Sequence, residues 1–206
     1  MKLTPKELGA YQKHFLMDTE AIKQYVVERL GAFPSETPIE VTEIGDGNIN
    51  YVFRVVNQAT QESLIIKQAD VLLRSSGRPL DIDRNRIEAE ILRLQNELAP
   101  QFVPEVYYYD QKMYALTMED VSDYRNMRYE LIDKQNFPDF SEEIAEYLAR
   151  TLLLTSDLVL DRDVKKQRVK DFINPEMCDI SEDLVFTEPY NDCLLYTSDA
   201  ADDGES

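Results

Sequence analysis

The stretch that decides the fold is EIGDGNINYVFRVVNQATQESLIIKQ, Glu43–Gln68. Two apolar, alternating runs flank a Gly-x-Gly turn, and a lone lysine, Lys67, closes the second apolar block. Alternation with a period of two marks half-buried strands, and the Val, Ile, Tyr and Phe content agrees. The glycines leave two readings open. Gly45 and Gly47 either let main-chain amides approach a polyanion, or they serve an ordinary hairpin that uses Gly and Asn for turn chemistry.

The neighbourhood of the turn bears on that choice. Against the pattern G-x-G-x-x-G-x-V of protein kinases the chain reads Gly45-Asp46-Gly47-Asn48-Ile49-Asn50-Tyr51-Val52, with asparagine in place of the third glycine. Asparagine tolerates left-handed backbone and offers a side-chain amide able to reach a phosphate. Lys67 ends LIIK on the third strand, where an ammonium serves as the point charge for α- and β-phosphates. Such a lysine needs a carboxylate, and the following helix offers Glu88 and Glu90. Ile87, Ile91, Leu94 and Leu98 form its apolar stripe, Leu92 widens the stripe on the Glu88 side, and Glu90 falls beyond the other edge. Glu88 is therefore expected to face Lys67, although a glutamate beside an apolar stripe is also a common boundary residue.

Working outward, Thr4-Pro5-Lys6-Glu7 reads as a capping box that opens a helix. A second helix runs from about Asp18 or Thr19, carries Ile22, Val26 and Leu30 on one face, and stops at Gly31. After the first three strands, LLRSSGRPLDIDR is a loop, and a helix spans about Asp83 to Leu98. Two strands follow around Asp110-Gln111-Lys112, the last ending YALTMEDV. In a kinase-like fold that end connects two lobes. The main chain of Glu119 and Val121 would meet an adenine edge there, Met118 would sit behind it, and Asp120 would face the pocket mouth. Beyond Val121 the character changes. Ser141 caps a helix to about Leu158 that is apolar almost all round, as in a larger lobe, and the charged run Asp161–Met177 reads as a solvated face. Residues 193–206 are small and acidic, without period, and read as a disordered or foreign tail.

Composition excludes several classes. The 206 residues carry a formal charge of −18, which opposes broad contact with nucleic acid or anionic membrane. Cys178 and Cys193 have no metal-ligand spacing, and the single histidine, His14, leaves metal-centred and histidine-based catalysis without material. The N-terminus lacks a secretory apolar core and no run approaches membrane-spanning length, so a soluble, cytoplasmic protein is expected.

The ordered blocks EIGDGNINYVFRV, SLIIKQA, DRNRIEAEILRLQ, VPEVYYYD, LTMEDVSDYR and LVFTEPYND resemble the methylthioribose kinases, small-molecule kinases of the aminoglycoside-phosphotransferase and choline-kinase type. The likeness runs to about Asp192. It implies an α+β fold: a protein-kinase-like N-terminal lobe over 1–121, with a five-stranded antiparallel sheet, one inserted helix and two preceding helices. Residues 122–192 would then be the hinge and the first helices of an incomplete C-terminal lobe. It also implies ATP and Mg²⁺ as cofactors, a small sugar as substrate and a cytosolic homodimer, with phosphorylation of the 1-hydroxyl of 5-methylthioribose in methionine salvage. By the same likeness Asn50, Lys67 and the glycine turn (Gly45, Gly47) serve the ATP phosphates, Glu119, Asp120 and Val121 the adenine, and Glu88 orients Lys67. The family's His-Gly-Asp catalytic loop is missing, and no Asp-x-Glu segment stands in the strand-loop setting that metal carboxylates need. The chain is accordingly expected to be a fragment without catalytic or metal-binding residues, inactive alone. A kinase of choline, homoserine or an aminoglycoside is the near alternative; a non-catalytic acidic binding module is the distant one.

Overall fold

The computed structural model describes residues 1–45, 49–73 and 77–191. The chain divides into two compact units, Met1–Phe172 and Ile173–Ser206. The first is built on five strands: β1 (Ile39–Ile44), β2 (Tyr51–Asn57), β3 (Ser63–Gln68), β4 (Val106–Asp110) and β5 (Ala115–Glu119). They pair antiparallel throughout in the order β1-β2-β3-β5-β4. The period of two becomes two faces. Phe53, Val55, Leu64, Ile66 and Ala115 are buried on one face against Ile22, Tyr25, Val26 and Leu30. Lys67 lies on the other, in register with Val52 on β2 and Leu116 on β5.

Helix α1 (Thr19–Gln24) continues as a wider turn over Tyr25–Arg29. Asp18 caps it by accepting from the Ala21 amide at 2.8 Å, and Gly31, at φ +60°, ends it. A side chain at Gly31 would be strained by that φ, and its Cβ would collide with Thr4 Oγ1. The helix expected from Thr4 does not form, and helical structure before α1 is reduced to one 3₁₀ turn, Gly9–Tyr11. Thr4 N donates instead to Leu30 O (3.0 Å) and Lys6 N to Arg29 O (2.8 Å). The last carbonyls of α1 need donors, and the N-terminal strap supplies them at the cost of its own helix. His14 follows that turn outside any helix, with its ring nitrogens at Met113 O (3.2 Å) and Asp70 Oδ1 (3.3 Å).

Helix α2 (Arg84–Leu98) crosses between β3 and β4 on the Lys67 face. Beyond β5 come α3 (Met127–Ile132), α4 (Phe140–Leu148) with a wider turn over Ala149–Leu153, and α5 (Arg162–Phe172). Ser141 lies inside α4 rather than capping it; Asp139 precedes the helix and its carbonyl takes the Glu142 and Glu143 amides. The helical run stops at Leu153, short of Leu158, and hydroxyls take its last carbonyls: Thr155 Oγ1 donates to Thr151 O (2.6 Å) and Ser156 Oγ to Leu153 O (2.7 Å). The α4 segment leaves Leu148, Leu152 and Leu153 exposed. The second unit holds α6 (Pro175–Glu182), a wider turn Asp183–Thr187, and α7 (Glu188–Asn191). The expected tail, 193–206, lies outside the described residues. No helix among the described residues is long and apolar enough to cross a membrane.

Candidate functional site

Lys67 sits second from the end of β3, and its ammonium donates to Glu88 Oε1 at 2.6 Å. Both side chains are partly open, 26% and 32% exposed, so an anion could reach the lysine without displacing a buried partner. Glu90 is engaged elsewhere: Arg86 donates to it at 2.8 Å and also grips Asp83. The α2 periodicity thus separates the two glutamates as the apolar stripe implies. Around Lys67 the register places Val52, Ile65, Leu116 and Met118 on the same face, an apolar surface beside a cation.

The residues before β2 are held from below. Asn50 is 4% exposed and both ends of its amide are used: Nδ2 donates to Asn85 Oδ1 (3.0 Å) and Oδ1 accepts from Arg84 Nε (3.0 Å). The side chain expected to reach outward toward a phosphate is therefore turned inward. Asn85, fully buried, also donates to Lys67 O (2.8 Å) and Tyr114 O (2.9 Å). Arg84 and Asn85 were not legible as site residues, since both read only as the start of a helix. A signal existed: arginine in the first turn opposes the positive end of the helix dipole, so some other contact has to hold it there. Gly45 follows β1 with open space where a Cβ would stand and without positive φ, so neither crowding nor backbone conformation requires glycine there. Gly47 lies outside the described residues.

At the end of β5, Glu119 N donates to Glu105 O (2.9 Å) while its own carboxylate accepts from Glu105 N (3.0 Å). Asp120, expected to face the pocket mouth, is bonded back into the fold. Its carboxylate is 3% exposed, accepts from Arg54 Nε at 2.6 Å and from Ser122 N at 2.9 Å, and ties the connection back to β2. Burial pushes its pKa up, but hydrogen bonds from Ser63, Ser122 and Arg54 outweigh this and hold it below the ordinary carboxylate value. Val121 is exposed, and with Glu119, Tyr124 and residues 100–104 it lines a cavity of about 420 Å³. Lys67 and Glu88 do not line that cavity. Glu119 is in register with Leu64, three residues before Lys67. At roughly 3.3 Å per residue the connection and the lysine are about 10 Å apart along the strand, the reach of a nucleoside. Among the described residues no cluster of three or more His, Cys, Asp or Glu could hold a metal.

No family model matches the chain. It is 46% identical over 176 residues to the methylthioribose kinase of Bacillus velezensis, a match covering 84% of this chain and 45% of that protein. By sequence, the matched part of this chain belongs to the methylthioribose kinases. The methylthioribose kinases of Geobacillus sp. (44% over 164 residues) and Pectobacterium atrosepticum (40% over 180 residues) match as broadly, over 79% and 86% of the chain. The chain spans less than half the length of these curated methylthioribose kinases, 41% of the Geobacillus protein and 45% of the Pectobacterium one.

Proposed function

We propose that this chain is the nucleotide-binding portion of a methylthioribose kinase. The complete protein would transfer the γ-phosphoryl group of ATP to the 1-hydroxyl of 5-methylthioribose, giving 5-methylthioribose 1-phosphate in methionine salvage, as a cytosolic homodimer. The observation that carries this is the half-open Lys67–Glu88 pair on the sheet face next to Val52 and Ile65, in a chain 40–46% identical to proteins named methylthioribose kinase.

In this reading Lys67 meets the α- and β-phosphates and Glu88 holds its ammonium on the cleft side. The glycine turn and Asn50 serve the phosphates through the main chain, the Asn50 side chain being committed to Asn85 and Arg84. The main chain of Glu119 and Val121 meets the adenine edge, while Asp120 stiffens the connection through Arg54. Phosphoryl transfer is driven by positioning and by charge neutralisation at the transferring group. The described residues offer no carboxylate cluster suited to Mg²⁺, and the sequence has no His-Gly-Asp loop. Both therefore belong, in this proposal, to the length of the relatives that the chain does not span. The 206 residues alone bind nucleotide weakly and do not turn over.

The test is a calorimetric titration of the chain with ATP, with Lys67→Ala alongside. Binding that the substitution abolishes supports the reading; equal responses, or none in either protein, refute it. Extending the reading frame should reveal His-Gly-Asp and Asp-x-Glu within about a hundred further residues.

A further inference from the structure

Arg84 is 4% exposed at the first position of α2. A cation there faces the positive end of the helix dipole, and a buried guanidinium loses hydration that an ion pair would ordinarily offset in part. Arg84 has no such pair among the described residues, yet each of its five N–H groups is used. Nε donates to Asn50 Oδ1 (3.0 Å), Nη1 to Leu80 O (3.1 Å) and Asp81 O (3.0 Å), and Nη2 to Asp70 O (2.8 Å) and Ile49 O (3.4 Å). All five acceptors are neutral oxygens. Burial lowers its pKa, while Asp70, Asp81 and Glu88 oppose that from beyond bonding distance. A planar fork with five fixed donors suits this task and an ammonium does not.

Two of the five bonds reach Ile49 and Asn50, which lead into β2, and the other three hold the carbonyls of Asp70, Leu80 and Asp81. Asn50 passes the connection on to Asn85, and Asn85 reaches the main chain of Lys67 itself. Three side chains therefore join the start of β2, the strand residue bearing the ammonium, and the helix bearing its carboxylate partner. We infer that Arg84 is a positioning residue for polyphosphate: it clamps Ile49–Asn50 onto α2, so that the start of β2, Lys67 and Glu88 keep one spacing. The inference rests on the nucleotide reading above for its ligand, but the clamp itself is measurable without one.

The experiment compares wild type, Arg84→Lys, Asn50→Ala and the double variant of the 206-residue chain by amide hydrogen exchange and by titration with ATP and with adenosine. Arg84→Lys keeps the charge and loses the fork. Exchange at residues 49–52 should quicken about tenfold or more, the size of one charge-assisted hydrogen bond, while β4 stays protected. ATP affinity should fall by a like factor and adenosine affinity by less than about twofold, since the base does not touch the clamp. Asn50→Ala removes the other end of the same bond together with the bond to Asn85, should reproduce both effects, and carries the test if Arg84→Lys fails to fold. The double variant should be no worse than the stronger single one. Unchanged exchange at 49–52 overturns the clamp. So does an equal loss for adenosine and ATP, or exchange that rises equally in β4, either of which is the signature of a merely structural arginine. A wild type that ignores ATP sinks the proposed function alone, and the exchange data still decide the clamp.

Discussion

Asp110→Asn should be among the most damaging single changes in the first unit. Asp110 and Arg29 are buried together, with side chains 1% and 3% exposed and Nε donating to Oδ2 at 3.0 Å. The carboxylate also accepts from Tyr25 OH (3.2 Å) and from the amides of Lys112 (2.9 Å) and Met113 (3.3 Å). One carboxylate therefore fastens the end of α1 to the β4–β5 turn. An asparagine keeps the shape, but its NH₂ must point at donors on one side or the other, and the buried Arg29 is left with only the long contact to the exposed Glu7 carboxylate, 3.5 Å. Removing one partner of a buried pair costs about 3–5 kcal/mol, a large share of a typical stability of about 5–15 kcal/mol. With a urea m-value of about 2 kcal/mol/M, the midpoint should drop by roughly 1.5–2.5 M. The assay is urea unfolding followed by far-ultraviolet circular dichroism, with Glu20→Gln as the control. Glu20 pairs with Lys23 at 2.6 Å on the surface, 73% and 37% exposed, and losing it should cost less than about 0.5 kcal/mol. Adding Arg29→Met to Asp110→Asn should recover part of the loss, because the stranded charge goes. A cost below about 1 kcal/mol for Asp110→Asn, or one equal to the control, would refute the reasoning.

Glu88→Gln should weaken ATP binding several-fold, the scale of a half-exposed pair worth about 1 kcal/mol, while Glu90→Gln, bonded to Arg86, should leave it unchanged; equal effects on titration count against the Lys67–Glu88 assignment. Burial, reinforced by Asp110, raises the pKa of Tyr25, and burial raises Tyr11, Tyr107, Tyr108 and Tyr109 as well. The folded state thus favours the neutral phenol. That contribution is complete below the unfolded value near 10 and lost as pH rises above it, so absorbance at 295 nm should show Tyr25 ionising only with alkaline unfolding and the other four titrating above 10. A smooth titration of every tyrosine near pH 10 contradicts this. The exposed Leu148, Leu152, Leu153 and Leu158 should make the 206-residue chain self-associate, with weak exchange protection in α4; a monomeric, cooperative transition that fully protects α4 would show otherwise.

What the sequence disclosed, and what it hid, follows the range of the forces involved. The strands were legible because alternation is local and survives burial, and α1 because Asp18 and Gly31 set its ends by their own chemistry. The Lys67–Glu88 contact was legible because an apolar stripe fixes which glutamate turns toward the sheet. The Thr4 capping box misled, since the donors of that segment found better use on the carbonyls of Arg29 and Leu30, partners that no local pattern announces. Asn50 and Asp120 misled in the same way. The sequence pointed one side chain toward a phosphate and the other toward a pocket mouth, and each is held by an arginine far along the chain, Arg84 and Arg54.

The central claim is that the Lys67 ammonium lies where a nucleotide's phosphates bind. It can be tested most directly with an acyl-phosphate derivative of ATP, which transfers its acyl group to a lysine lying against the phosphates, followed by peptide mass spectrometry. Lys67 should be acylated ahead of exposed lysines such as Lys166, and excess ATP should protect it selectively. Acylation of Lys67 no faster than Lys166, or at a rate ATP does not change, would contradict the account.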